Sequence, residues 1–532
     1  MSKRTTATGR TRTKTSPPEL AQRTCGILLH LTSLPGPHGS GDLGPAASRF
    51  ADFLARAGHR WWQMLPTGPI GPGNSPYSSI SGFAGGAHLI SLEHLAREGW
   101  LSESTGGPRR VRSDRVVYQP VLAFRRARLR EAFERFRGRR ANAHRLERFC
   151  HEHGAWLDDY TLFCALKRAH RGAAWTRWRP EFVHRRPEAL RQARRELRDE
   201  IAFEQFVQYV FDCQWEALRE HCHARGVGLI GDLPIFVSHD SCDVWANQSL
   251  YLLDTHGNPT VVSGVPPDYF SKTGQRWGHP LYRWPAHART GYRWWVARFA
   301  HMLRRFDAVR IDHFLGFNRL WNVPAGAKTA LRGRWTKTPG DAIFRAVRKA
   351  LGPPAIIAED LGLVVPDAVA LRERWGFPGM RVLQFAFDGT EKARHDQPHR
   401  YVRHCVAYTG THDNNTTVGW FRALPARGRR GADGLTPRRR VLAYVGGDGS
   451  TIHLDCIRAV YASVANTAIV PMQDVLGLGA EARMNYPSTT SGNWEWRMRG
   501  AALSDRYADL LRTLAETFER TGSRPVREGA GG

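Results

Sequence analysis

Residues 306–312 read FDAVRID. The run is short, apolar at Ala308, Val309 and Ile311, and closes on an acid, Asp312. A strand apolar on both faces belongs in a parallel sheet covered by helices, not on a half-solvated edge. Just before it, residues 291–305 carry apolar positions at three- and four-residue spacing, the pattern of an amphipathic helix. Helix followed by buried strand is one step of an alternating β/α fold.

The same reading extends outward in both directions. Further strands are predicted at 26–33 (GILLHLTS), 61–65 (WWQML), 227–232 (VGLIGD), 355–359 (AIIAE), 380–387 (MRVLQFAF), 405–411 (CVAYTGT) and 466–473 (NTAIVPMQ), which makes eight in all. Amphipathic helices are predicted at 46–57, 203–225, 341–351 and 366–375. Eight β/α units favour an α/β fold of the (β/α)8 TIM-barrel type over an open doubly wound sheet. Two long gaps interrupt the repeat. Residues 93–200 read as mostly helical and charged, and residues 236–290 are rich in Gly, Pro, Tyr and Trp. In a barrel, segments that follow strands lie over the C-terminal face, so the second gap is the expected active-site lid region. The expected organisation is a disordered basic tail at 1–24, a catalytic barrel at 25–521 with these two insertions, and a frayed tail at 522–532.

Composition narrows the function. With 42% hydrophobic residues in 532, a large core can form and wholesale disorder is excluded. No run of about 18 uncharged apolar residues is present, so no membrane span is expected. The first 24 residues are polar and basic without an apolar h-region, so a secretory signal is not expected either; a transit peptide shares that composition, but the stretch is short and not amphipathic. The net charge of +28 invites a nucleic-acid reading. Of the 77 basic residues, however, only 8 are lysines, a lopsided ratio that suggests compositional bias. The basic runs at 124–149 and 171–198 read as solvated helix faces, so no specific nucleic-acid partner is expected. Eight cysteines without a C-x-x-C pair read as reduced thiols of a cytoplasmic enzyme.

The strand ends carry the chemistry. Asp232, Asp312, Glu359, Asp388, the pair His412–Asp413 and the pair Gln473–Asp474 each close an otherwise apolar run. A barrel gathers such ends into one ring. Carboxylates converging in a low-dielectric cleft repel one another and suffer raised pKa values, so a catalytic use explains them better than stability does. Clustered carboxylates bind metals or cleave glycosides. His313 after Asp312 and His412 before Asp413 could be read as metal ligands. Glycoside chemistry needs one carboxylate nucleophile and one protonated carboxyl, and benefits from aromatic platforms for sugar rings. Tyr77, Tyr269, Phe270 and Trp277 sit in post-strand loops where such platforms belong. No convincing metal or dinucleotide motif appears, so neither a metal nor an organic cofactor is expected.

The motifs GILLHLTSLPGPHGSGDLG, WWQMLPTGPIGPGNSPYSS, GDLPIFVSHDSCDVWAN, VSGVPPDYFSKTGQRWGHPLYRW, FDAVRIDHFLGF, IIAEDLG, THDNNTTVGWF and GNWEWR, in this order from Gly26 to Arg497, resemble the 4-alpha-glucanotransferase (amylomaltase, disproportionating enzyme) family, a relative of the alpha-amylases. The resemblance implies that Asp312 is the nucleophile, Glu359 the general acid/base and Asp413 the transition-state stabiliser. It further implies sugar contacts by Asp232 and His412, aromatic binding positions at Trp277 and Tyr77, and further substrate contacts at Asp388 and Asn485. Arg310 lies two residues before Asp312, on the same face of a strand, where its charge favours the ionised nucleophile. The implied activity is retaining transfer of α-1,4-glucan segments from a donor to the 4-hydroxyl of an acceptor. Donor and acceptor glucans are the expected partners, and the expected assembly is a monomer or small homo-oligomer. An alpha-amylase-like hydrolase would keep the same trio; a non-catalytic glucan or nucleic-acid binder would not need it. The sequence departs from the family pattern at Gly86, Ala87, His88, His279 and Tyr486, positions that bear on glucan register rather than on the carboxylates.

Overall fold

The computed structural model describes residues 19–102, 106–108, 111–267, 272–362, 365–426, 431 and 433–522. Twelve strands are formed: β1 (Thr24–Leu28), β2 (Trp61–Gln63), β3 (Gly228–Pro234), β4 (Val261–Val265), β5 (Gln275–Pro280), β6 (Ala308–Asp312), β7 (Arg319–Pro324), β8 (Arg334–Lys337), β9 (Ile356–Ala358), β10 (Gly379–Val382), β11 (Cys405–Tyr408) and β12 (Thr467–Pro471). Eight of them close into a parallel barrel in the order β1-β2-β3-β6-β9-β10-β11-β12, with β12 pairing back onto β1. These are the eight strands predicted from sequence.

Strand alternation sorts the side chains into two layers. Trp61, Ile230, Ala308, Ile357, Met380, Val406, Tyr408 and Ile469 point inward and fill the barrel. Leu229, Val309, Ile311, Ile356 and Ala407 point outward and pack under the helices, including Pro45–Arg56, Arg198–His223, Arg293–Arg305 and Gly340–Leu351. Gly26 has no room for a side chain, because a Cβ there would meet the Trp61 carbonyl oxygen at 2.4 Å.

Three features depart from the sequence reading. The strand predicted at 380–387 ends at Val382 and turns into a 3-10 helix, Leu383–Phe385. Between β10 and β11 the described residues form only short 3-10 turns, so the sixth unit carries no α-helix there. Strands β4, β5, β7 and β8 make a separate antiparallel sheet in the order β5-β4-β7-β8. The lid region is therefore partly strand, and half of its sheet comes from residues after β6 that carried no strand prediction.

The segment 93–200 folds mainly as helices, among them Tyr118–Arg137 and Arg140–Ala169. It docks on the residues after β3: Lys167 Nζ is 2.6 Å from Asp240, and Trp245 donates its indole N–H to the Phe182 carbonyl at 2.9 Å. At the N-terminus, structure begins before the expected residue 25. Thr24 opens β1, and the Arg23 guanidinium donates to the carbonyls of Ser463, Tyr461 and Phe518. Residues 1–18 and 523–532 lie outside the described residues. Among the described residues, no helix is long and apolar enough to cross a membrane.

Candidate active site

Three neighbouring strands deliver the charged cluster by alternation alone. On β3, Ile230 points into the barrel, and two residues later so does Asp232. On β6, Ala308, Arg310 and Asp312 share the inward face. On β9, Ile357 is inward and Glu359 follows just past the strand end. The register sets Asp232 opposite Arg310, and Arg310 opposite Ile357. One buried guanidinium thus faces three carboxyl groups. Arg310 Nη1 donates to both Asp232 oxygens at 2.8 Å and lies 3.1 Å from Asp312 Oδ1, while Nη2 is 3.9 Å from Glu359 Oε2.

Their electrostatics differ. Burial works against the charge of Arg310, but Asp232 and Asp312 outweigh it and hold the guanidinium protonated. Burial pushes the Asp232 carboxyl up, and Arg310 opposes that shift. Glu359 is pushed up to about 7, first by burial, with Arg310 pulling down and Asp312 pushing up. A carboxyl in that range can give a proton and take it back near neutrality. Its oxygens are held by backbone donors: His313 N–H reaches Oε2 at 2.7 Å and Leu361 N–H reaches Oε1 at 3.2 Å.

The loop after β11 supplies the opposite wall. His412 is buried, and its Nε2 lies 3.3 Å from Asp413 Oδ2. Asn485 donates its amide N–H to Asp413 Oδ1 at 2.6 Å, and Arg483 donates to the Asp413 carbonyl at 2.7 Å. Tyr77, in the loop after β2, bridges the two walls. Its hydroxyl donates to Asp232 Oδ2 at 2.7 Å and meets His412 Nε2 at 2.8 Å, with its ring stacked on the His412 imidazole. A cleft opens beside Tyr77, Asp232 and Phe236.

Trp277 lies on β5, not in an open loop. Gly278 beside it adopts φ +82, a conformation that suits only glycine at low cost. The Trp277 ring meets His313 edge-to-face at 4.9 Å and leans on Phe236 at 6.0 Å. His279, two residues on, stacks against Phe236 at 5.9 Å. Tyr269 and Phe270 lie outside the described residues.

Not every strand-end acid joins the cluster. Asp388 is exposed and accepts hydrogen bonds from Thr390 N–H and Oγ1, both at 2.7 Å; it caps its own turn, because β10 ends at Val382, well short of a strand through 387. Asp474 is buried under the His412 loop, where it accepts from Thr409 Oγ1 at 2.6 Å and from Thr417 N–H at 2.7 Å. Sequence reasoning missed that supporting role, and it missed Trp494, whose ring flanks Tyr77 at 5.6 Å and His412 at 6.0 Å. Among the described residues, no three His, Cys, Asp or Glu side chains group as a metal site.

Known proteins place the chain in a family. The 4-alpha-glucanotransferase family model matches residues 29–504. A 4-alpha-glucanotransferase of Thermus thermophilus is 46% identical over 512 residues, covering 94% of this chain and 99% of that protein. The chloroplastic/amyloplastic 4-alpha-glucanotransferase of Solanum tuberosum is 40% identical over 510 residues, covering 94% and 87%. An amylomaltase from Streptococcus agalactiae, solved in complex with acarbose, superposes with a TM-score of 0.89 at 35% identity, covering 94% of this chain and all of that one. A family match across nearly all of the folded chain, together with these relatives, establishes that the chain belongs to the 4-alpha-glucanotransferase family.

Proposed function

We propose that the protein transfers α-1,4-glucan segments from a donor maltooligosaccharide or starch-like glucan to the 4-hydroxyl of an acceptor glucan or glucose, with retention at the anomeric carbon. Asp312 is the nucleophile. Glu359 is the acid/base. Asp413, held by Asn485, stabilises the transition state. The observation that carries this reading is the asymmetry of two carboxyls on one guanidinium. Asp312 has Arg310 at 3.1 Å and stands a third exposed, open to a sugar. Glu359 is mostly buried, with 15% of its side chain exposed, is farther from Arg310, and is pushed up to about 7.

In the first step the Asp312 carboxylate attacks the anomeric carbon while Glu359 gives its proton to the departing glycosidic oxygen. The C–O bond to the leaving glucan breaks as the bond to Asp312 forms. In the second step Glu359, now ionised, takes the proton of the acceptor 4-hydroxyl, whose oxygen displaces Asp312. Asp232, Tyr77 and His412 are hydrogen-bonding partners for sugar hydroxyls at the cleavage point. Trp277 is the acceptor-side platform, on a lid that favours an acceptor sugar over water. The eight free thiols fit work in a reducing cytoplasm. A monomer or small homo-oligomer suffices, since the cluster is complete within one chain.

The test is a donor with fluoride at the anomeric carbon, whose departure needs little protonation. Glu359→Gln should be partly rescued with it, regaining the first step with release of fluoride, and should accumulate a covalent glycosyl-enzyme visible by mass, with the label on Asp312. Asp312→Asn should stay inactive with every donor. A label on Glu359 or Asp413, or fluoride rescue of Asp312→Asn, would overturn the assignment.

A further inference from the structure

His313 follows Asp312 directly and adopts φ +54, ψ +59, a left-handed conformation uncommon for a residue with a side chain. The consequence is visible in what its backbone does. The His313 N–H, in the peptide that leaves β6, reaches Glu359 Oε2 at 2.7 Å, and the left-handed turn then brings the next N–H, of Phe314, onto the Glu359 carbonyl at 2.9 Å. The imidazole itself is neutral, since burial pushes it down to about 4 against the pull of Asp312. On its outer side it meets the edge-on Trp277 ring at 4.9 Å, at an interplanar angle of 89°. Trp277 belongs to β5 of the lid sheet.

The two oxygens of Glu359 are therefore not equivalent. Oε2 accepts the short bond from His313 and is the oxygen facing Arg310 Nη2 at 3.9 Å. Oε1 accepts only the longer bond from Leu361, at 3.2 Å. Donors and positive charge favour negative charge on Oε2, so the proton of neutral Glu359 belongs on Oε1. We infer that His313 is a positioning residue whose left-handed turn fixes Oε1 as the proton-carrying oxygen of Glu359, and that Trp277 holds this turn from the lid. The lid thereby touches the acid/base as well as the acceptor. This inference rests on Glu359 being the acid/base.

The groups facing Glu359 are Arg310 and Asp312 from β6 and the backbone donors of His313 and Leu361. Removing the His313 donor takes away a contact that favours the ionised carboxylate, so the Glu359 titration moves up. Asn tolerates the left-handed region, whereas a β-branched residue does not. His313→Val should therefore lower the rate with a maltooligosaccharide donor about 10- to 100-fold, leave the first-turnover release of fluoride from a glycosyl fluoride donor within about threefold, and shift the basic limb of the kcat profile to higher pH. His313→Asn should keep both the donor ratio and the limb close to those of the parent. Trp277→Ala should shift the limb in the same direction as His313→Val. If His313→Val fails to fold, the Asn and Trp277→Ala profiles still decide. Equal losses with both donors, or an unmoved limb in His313→Val or Trp277→Ala, would reduce His313 to a packing residue and overturn the inference. Failure of Glu359→Gln to be rescued by fluoride would instead sink the acid/base assignment beneath it.

Discussion

The Tyr77 hydroxyl is shared between Asp232 and His412: 2.7 Å from Oδ2 of the first and 2.8 Å from Nε2 of the second. A hydroxyl has one proton to give. Burial and the Asp232 charge keep the phenol protonated, so its proton points at Asp232 and its oxygen accepts from His412. That fixes the His412 tautomer with the proton on Nε2. Tyr77→Phe removes the link and leaves an oxygen of the buried Asp232 short of a donor. We expect kcat/KM to fall about 10- to 100-fold, or about 1.4–2.8 kcal/mol, with the fold retained. Steady-state kinetics beside a thermal melt check this; a normal rate would show the link to be dispensable.

Arg310 and Asp232 are the most deeply buried charges of the cluster, and each is the other's main partner. Removing one partner of a buried pair leaves an uncompensated charge, at a cost of about 3–5 kcal/mol. Arg310→Met should lower the stability of the fold by that order and abolish transfer. The double variant Arg310→Met/Asp232→Asn should recover much of the stability but none of the activity. Denaturant melts of the single and double variants measure the coupling, and activity recovered along with stability would show the pair to be purely structural.

Trp277 rests on Phe236 and His313 but remains partly exposed toward the cleft. If it is an acceptor platform, Trp277→Ala should depress transfer several-fold more than residual hydrolysis, because water needs no ring to stack on. The ratio of glucose-plus-ladder products to reducing ends from maltotriose reads this out. Equal loss of both, with a lower Tm, would assign the ring to packing.

How much of this could be seen in the sequence depends on where side-chain alternation decides the outcome. Asp232, Arg310, Asp312 and Glu359 lie two residues beyond, or on, inward apolar positions, so once the strands are placed, parity delivers them to one cleft. Parity fails where the backbone leaves the strand. The run through Phe387 is as apolar as a buried strand, yet it bends at Leu383 so that Gln384 can donate to the Asn415 carbonyl under the His412 loop at 2.8 Å. Asp388 is carried off to the surface as a result. Apolarity reports burial, and a buried turn looks the same as a buried strand. The β7–β8 ribbon was missed for a related reason: Arg319, Asn322 and Arg334 dilute its apolar signal, and it pairs with β4, outside the barrel. The left-handed turn at His313 carried only a faint signal, since His is enriched among non-glycine residues at positive φ but seldom adopts it.

The last expectation concerns pH. With Glu359 as the proposed acid, the first chemical step needs it protonated, and its carboxyl is raised to about 7 from an ordinary value near 4.5. The rate should therefore be held at mildly acid pH and fall as pH rises through about 7, giving kcat a basic limb there. Glu359→Gln assayed with a glycosyl fluoride donor should lose that limb. Stability carries the same signature with its own sign. A carboxyl whose pKa is raised by folding contributes stability that is fully present below the unfolded value and is lost as pH rises through the folded one. Above pH 7 the parent must hold a charged Glu359 in a buried site, and Glu359→Gln need not. The variant should therefore gain Tm relative to the parent as pH rises from about 4.5 to about 7, with little difference below that window and a constant one above it. A basic limb that survives in Glu359→Gln with the fluoride donor, or a Tm difference that does not grow with pH, would mean that another group sets the limb.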